Sequence, residues 1–342
     1  MPKISVQIVT WNSMRYILEC LESLMRQNFR DFQVLVIDNG SDDGTVEFIR
    51  AQYPTVAILQ NFKNLGFAKA NDKGIKLAKS EYVLVMNPDV ILSDDFLQNM
   101  INFADQHPEA GSFGGKTFKL FSAAIDQADQ SGLREAIKSD VIDSTGLQIY
   151  KSRRVVNRGE GKKDKGQYDR LEEVFGVSAS CALYRKSVLD EVLIKDEYFD
   201  NNFFAYKEDI DLAWRMRLYG WQCWYVPEAV CYHHRRLSAY EETSLKKRMA
   251  SREAVSKMLR SLSFRNHHLM LVKNDQWINT LLALPWFLFW ELRIILFALI
   301  FEPFQYKSIT QFFKYLPATL LKRRVIMAHK KVAPREIRKW FR

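Results

Sequence analysis

Cysteine is scarce in this chain: four residues in 342, Cys20, Cys181, Cys223 and Cys231, with no two forming a C-x-x-C pair. That scatter removes the usual zinc frameworks, and a disulfide scaffold is not expected in so long a chain. The G-x-G-x-x-G fingerprint of dinucleotide-binding folds and the G-x-x-x-x-G-K-[S/T] of P-loop nucleotidases are also missing, so neither class is supported. No internal repeat is evident. The opening Met1-Pro2-Lys3-Ile4-Ser5 carries a charge but runs into a strand-like segment with no small-residue cleavage site. No signal peptide is therefore expected, and a reducing cytoplasm is the default compartment.

Hydrophobic residues make up 47% of the chain and charged residues 26%, which suits a sizeable core and excludes wholesale disorder. The length fits about two domains. The net charge of +10 conceals a split: residues 1–234 are net −5, whereas residues 235–342, with 22 Lys/Arg and 7 Asp/Glu, are net +15. The first two thirds read as an acidic globular domain. The last third reads as a segment that meets an anionic surface.

Apolar spacing predicts strands at Ile4–Thr10, Gln33–Asp38, Val56–Gln60 and Tyr82–Met86, alternating with helices over Arg15–Gln27, Thr45–Gln52 and Gly66–Lys79. Strand and helix in turn, with short connections, predict an α/β fold with a parallel sheet and helices on both faces. Ligands in such sheets bind at the carboxyl ends of the strands. Those ends carry Thr10-Trp11-Asn12, Asp38-Asn39, Asn61–Gly66 and Asn87-Pro88-Asp89. Lys151–Arg170 is polar and highly charged and reads as a mobile loop, either a solvated excursion or an acceptor-binding lid. Order is expected to resume at Val174–Arg185, with a helix near Glu208–Tyr219 and a short strand at Cys223–Val226.

Four clusters can carry chemistry. Asp38 ends a strand and can hydrogen-bond a base or ribose hydroxyl, but Asp38 through Gly44 also satisfies an Asx turn and helix cap unaided. Asn87-Pro88-Asp89 offers a carboxylate and a neutral oxygen to a hard divalent cation; alone it also reads as a turn. Lys207–Arg215 places Glu208, Asp209 and Asp211 in one helical turn. The helix dipole and an Asp211–Arg215 pair explain some of these acids, but three exceed what capping requires, so one is expected to face a cleft. His233-His234 can join a carboxylate at a metal, although a lone histidine is commonly structural.

The order and spacing of these clusters carry more information than any one of them. T-W-N at 10–12, D-N-G-S-D-D-G-T at 38–45, N-L-G-F-A at 64–68 with Asn71 and Gly74, N-P-D at 87–89, E-D-x-D-L-x-x-R at 208–215 with Gly220-Trp221, and P-E-A-V-x-Y-H-H at 227–234 follow in that order. Together they resemble a family 2 glycosyltransferase of the GT-A fold, the Rossmann-like, mostly parallel nucleotide-diphospho-sugar transferase architecture. The likeness covers residues 4–234 and is nearest the bacterial rhamnosyltransferase-like branch.

The resemblance implies a catalytic domain over 1–235 and a basic, amphipathic helical region over 236–342. Thr10, Asn12 and Asp38 would hold the nucleoside, and the Asn64, Gly66 and Asn71 segment would close over ribose and phosphates. Asp89 matches the final acid of the family's D-x-D motif and would bind Mg²⁺ or Mn²⁺ on the donor diphosphate, with Asn87 departing from the motif's first acid. Asp209 matches the catalytic base. His233, rather than His234, would face the metal or diphosphate, with Glu208, Asp211 and Arg215 as acceptor or support residues.

The implied reaction is inverting transfer of a sugar, rhamnose from dTDP-rhamnose first, with a UDP-sugar as the other donor, to a glycan or polyprenyl-linked acceptor in cell-surface polysaccharide synthesis. The Q-x-x-R-W of processive synthases is absent, which favours addition of one or a few sugars. A non-catalytic nucleotide-sugar or glycan-binding module with a decayed metal site is the alternative.

Trp277–Phe301 is long enough to cross a bilayer. However, Pro285 interrupts it, and Glu291 and Arg293 lie near its middle. Interfacial helices or a re-entrant hairpin at the cytoplasmic face of the inner membrane fit better than a clean span. A homo-oligomer contact is also compatible with the tail. The apolar block Leu281–Phe301 makes nucleic acid an unexpected partner.

Overall fold

The structure, a computed structural model, describes residues 1–122, 136–234 and 255–342. Its first half alternates β1 (Ile4–Thr10), α1 (Met14–Met25), β2 (Phe32–Asp38), α2 (Thr45–Gln52), β3 (Ala57–Gln60), α3 (Phe67–Leu77) and β4 (Tyr82–Met86). The helix α1 forms where Ile17, Cys20, Leu21 and Leu24 recur at helical spacing, and all four are buried. β1 pairs in parallel with β2, from Ile4 opposite Phe32 to Thr10 opposite Asp38. It also pairs in parallel with β4, from Ile4 opposite Tyr82 to Ile8 opposite Met86. The register brings Thr10, Asp38 and the turn after Met86 to one edge of the sheet.

The remaining strands are β5 (Val90–Leu92), β6 (Ala110–Ser122), β7 (Ala136–Ser144), β8 (Leu147–Ile149), β9 (Val155–Asn157), β10 (Glu172–Glu173), β11 (Cys181–Arg185) and β12 (Gln222–His234). The sheet runs β10-β12-β6-β11-β4-β1-β2-β3, with β5 on β12 and β7 on β6. Alternate β4 side chains serve two cores. Tyr82, Leu84 and Met86 meet α1 and α4 (Phe96–Gln106). Val83 and Val85 meet α3, α5 (Lys186–Glu191) and α6 (Glu208–Leu218). Each buried Val or Leu stabilises the fold by ~1.5–3 kcal/mol. The mostly parallel α/β sheet with helices on both faces is the fold the sequence predicts.

Three segments differ from expectation. β12 continues to His234 because a bulge between Val226 and Val230 accommodates Pro227, which has no N–H to donate. Lys151–Arg170 is built into the structure: it contains β9, and Arg153 is fully buried, its Nε donating to Asp275 Oδ2 at 2.7 Å and its guanidinium 4.0 Å from the Phe341 ring. The 277–301 run breaks at Ala283 into α8 (Trp277–Leu282) and α9 (Leu284–Phe301), with Pro285 in the first turn of α9. Residues 235–254 lie outside the described residues, and helix α7 (Lys257–Asn274) follows them.

The tail continues with α10 (Tyr306–His329) and α11 (Pro334–Arg338) and returns to the sheet domain. The Lys151 N–H donates to Arg342 O, and the Arg342 N–H to Ile149 O. Part of its positive charge is turned inward. Lys273, 1% exposed, pairs with Asp200 and, at 2.8 Å, with Asp211. Lys322 pairs with Glu197 at 2.6 Å and Asp200 at 2.7 Å. Burial alone raises the Asp200 carboxyl, but the two ammonium groups hold it well below the usual carboxylate range.

Candidate active site

The donor-side residues form a hydrogen-bonded loop at the sheet edge. The Thr10 hydroxyl donates to Asp38 Oδ1 at 2.9 Å, the Ser41 hydroxyl to the same oxygen, and the Gly40 and Ser41 N–H groups to Oδ2 at 3.0 Å each. Asn12, at φ 51°, receives the Asp42 N–H on its side-chain oxygen at 3.0 Å. The Asp38 carboxylate therefore shapes the loop, the Asx-turn arrangement the sequence also allowed. Asn64 Oδ1 accepts the Gly66 N–H at 2.8 Å, and Gly66 has φ +81° with a would-be Cβ 2.5 Å from the Phe204 carbonyl oxygen. Only glycine fits there. The Asn71 amide N–H donates to Phe67 O at 3.0 Å, and its side chain is fully buried.

Asp89 follows β4 and meets β12 through the β5 pairing that sets His233 opposite Val90. His233 Nε2 lies 3.2 Å from Asp89 Oδ1, and its Nδ1 lies 3.0 Å from Asp143 Oδ2 on β7. Both ring nitrogens face carboxylates, which only accept; the tautomer with its proton on Nδ1, donating to Asp143, is the one in which Nε2 can share a cation with Asp89. A carboxylate-oriented imidazole beside a second carboxylate is a donor set that divalent cations take. His234 instead reaches Glu19 Oε2 at 3.0 Å on α1. Among the described residues no group of three or more His, Cys, Asp and Glu side chains encloses a metal position. Asp89 and His233 fit an ion that completes its shell with substrate phosphates, the usual habit of Mg²⁺. Asn87 is anchored by its backbone, its N–H donating to Ser180 O at 2.8 Å.

The same turn that holds Asn87 holds Asp209. The Ala179 N–H donates to Asp209 Oδ2 at 3.4 Å, and Oδ1 accepts the Ile210 N–H at 2.8 Å. Residues 178–180 thus contact both the Asn87–Asp89 turn and the first turn of α6. Burial raises the Asp209 carboxyl. Burial and the adjacent Asp209 charge push Glu208 up to about 8. Asp211 and Arg215 are buried in the packing. Asp211 Oδ1 accepts the Asn274 amide at 2.7 Å, and Arg215 donates to Val192 O at 2.6 Å and to Tyr198 O.

The chain leading into α6 is held in an unusual conformation by the tail. Phe204, Tyr206 and Lys207 all have positive φ, 65°, 70° and 73°. The fully buried Asn266 amide on α7 lies 2.9 Å from Phe203 O, 2.9 Å from Ala205 O and 2.8 Å from Tyr206 O. Arg265 adds a donor to Asn202 O at 2.6 Å.

Comparison with known proteins decides the family. Residues 5–193 match the sequence family described as Glycosyl transferase family 2, and residues 157–321 match Glycosyl transferase family group 2. The chain belongs to glycosyl transferase family 2. A Mycobacterium tuberculosis N-acetylglucosaminyl-diphospho-decaprenol L-rhamnosyltransferase is 27% identical over 248 residues, covering 67% of this chain and 75% of that protein. Staphylococcus aureus TarS 1-349 in complex with UDP-GlcNAc superposes at a TM-score of 0.52 with 17% identity, over 98% of this chain and 89% of that one. GalNAc-T7 with UDP, GalNAc and Mn²⁺ superposes at 0.58 with 11% identity, over 80% of this chain and 48% of that one. The solved structures establish the GT-A fold, and the family makes the protein a glycosyltransferase.

Of the residues singled out in the sequence, the structure gathers Thr10, Asn12, Asp38, Asn64, Gly66, Asn87, Asp89, His233, Glu208 and Asp209 around the carboxyl edge of this transferase's sheet. It places Asp211 and Arg215 in the packing beneath. Sequence reasoning missed Asp143, which no local pattern marks, and Asn266, which sits in a helix with no evident catalytic role.

Proposed function

We propose that this family 2 enzyme transfers one sugar, L-rhamnose from dTDP-rhamnose, with inversion to a hydroxyl of a polyprenyl-diphosphate-linked glycan. The observation that supports the reading is the 178–180 turn, which bonds to Asn87, two residues before Asp89, and to Asp209. Asp89 and His233 are the residues that would hold Mg²⁺ or Mn²⁺, and such an ion supplies positive charge against a departing diphosphate. Asp143 fixes the His233 tautomer and ring plane through Nδ1. Asp209 Oδ2 takes the proton of the acceptor hydroxyl as that oxygen attacks the anomeric carbon. Burial makes this carboxylate a stronger base than a solvated aspartate. Glu208, neutral at pH 7 with its carboxyl pushed up to about 8, adds no second charge to repel Asp209.

The sugar and acceptor follow the rhamnosyltransferase relative. A seat on a membrane, its cytoplasmic face being part of this proposal, draws its support from α9, an apolar helix that leaves Leu288, Phe289, Leu292 and Leu296 exposed. The test is a panel of nucleotide sugars incubated with the full-length chain, Mg²⁺ or Mn²⁺ and a short-chain lipid-diphosphate N-acetylglucosamine. Rhamnose transfer from dTDP-rhamnose that stops in EDTA is expected. Transfer from UDP-sugars alone would overturn the donor, and undiminished transfer in EDTA would overturn the metal.

A further inference from the structure

A cavity of about 670 Å³ lies between α7, α9 and the β8–β9 hairpin. Four cations line it, Arg154, Lys207, Arg260 and Arg293. Leu259, Phe264, Ile294 and Phe297 supply apolar lining beside them. Trp290 also lines it, with the Arg154 guanidinium 5.4 Å and the Arg293 guanidinium 5.8 Å from its ring. The wall is fixed by Glu291, which reaches back from the apolar α9 to His267 at 2.9 Å and His268 at 3.0 Å. Those pairs account for the buried carboxylate in a helix whose one other charged residue is Arg293.

We propose that this cavity seats the diphosphate and first isoprene units of the lipid-linked acceptor, an inference that rests on the acceptor class proposed above. The occupant is chosen by the lining, since guanidinium groups recognise diphosphate oxygens and the aromatic and aliphatic wall suits a branched hydrocarbon. Arg260 also donates to Glu302 at 2.7 Å, so the diphosphate falls chiefly to Arg154 and Arg293. Lys207 joins this cavity to the start of α6, which carries Asp209. It lines the cavity, and its carbonyl receives the Asp211 N–H at 2.9 Å at the start of α6, two residues from Asp209. A diphosphate held here presents the adjoining glycan toward the base. The exposed outer face of α9 continues the hydrocarbon path into a membrane.

The test is calorimetric binding of farnesyl diphosphate to the full-length protein in EDTA without nucleotide sugar, with pyrophosphate and farnesol as separate arms. Farnesyl diphosphate is expected to bind more tightly than either half. Arg154→Gln and Arg293→Gln should each weaken it about tenfold, and Phe297→Ala should weaken it while leaving pyrophosphate unchanged. Both arginines are exposed, so the variants keep the core; an unshifted melting midpoint verifies this. Equal affinity for pyrophosphate, or variants that bind as the parent does, overturns the assignment. A parent that transfers sugar but binds no farnesyl diphosphate overturns the cavity alone. A parent that binds it through both arginines yet turns over no nucleotide sugar supports the cavity and overturns the transfer reading.

Discussion

Replacing Asn266 with alanine tests whether the tail shapes the catalytic centre. The Asn266 amide is fully buried and serves the carbonyls of Phe203, Ala205 and Tyr206, the stretch in which Phe204, Tyr206 and Lys207 adopt left-handed backbone angles. Such angles persist only when the surroundings impose them. Its two N–H donors, lost at a site without solvent, cost about 2–6 kcal/mol at ~1–3 kcal/mol each. Some of that penalty is expected as relaxation of the loop, which moves Asp209 relative to the acceptor while the donor loop at Asp38 stays intact. The assay is steady-state transfer alongside a denaturant melt: kcat falls at least tenfold, or about 1.4 kcal/mol, KM for the nucleotide sugar stays put, and the melt shifts down. Asn266→Asp, which keeps the volume but loses the donors, should behave likewise. An Asn266→Ala protein with the parent's kcat and midpoint would refute the reasoning.

Three further outcomes are expected. Lys273→Met removes the ammonium that Asp200 and Asp211 share in a dry site and should cost about 3–5 kcal/mol in a denaturant melt, with Lys273→Met/Asp211→Asn recovering part of it; a loss below about 1 kcal/mol, the size of a surface pair, contradicts the buried network. Because the Glu208 carboxyl is raised in the folded state, the folded protein binds that proton more tightly, so stability falls as pH rises from the ordinary glutamate value, ~4.3, to about 8; Glu208→Gln should flatten this slope, and an unchanged slope contradicts it. Gly66→Ala must place a methyl 2.5 Å from Phe204 O at positive φ, so nucleotide-sugar affinity should drop sharply in a binding titration, and an unaltered affinity contradicts the packing of the two loops.

The parallel half of the fold was legible because local rules govern it. Apolar strands end in polar residues, and β1, β2 and β4 all deliver those ends to one edge. The length of β12 was hidden because Pro227 reads as a strand terminator, and only its neighbour β6 reveals that a bulge absorbs it. Arg153 and Lys273 look solvated in sequence and are buried in the structure, since their partners Asp275, Asp200 and Asp211 come from distant segments. Asp143 was invisible for the same reason: its one signal is the imidazole that β12 carries past it. The likeness to the family located Asp89 and Asp209, while the cavity beside α9 emerged only when residues near 154, 260 and 293 met.

The division of labour between Asp89 and Asp209 is tested most directly by titrating dTDP-rhamnose with Mn²⁺ into Asp89→Asn and Asp209→Asn proteins and following transfer in the same samples. The account expects Asp209→Asn to bind donor as the parent does and transfer nothing, and Asp89→Asn to lose the metal-dependent part of donor affinity. Rhamnose transfer by Asp209→Asn at the parent's rate, or metal-dependent donor binding undisturbed in Asp89→Asn, would contradict it.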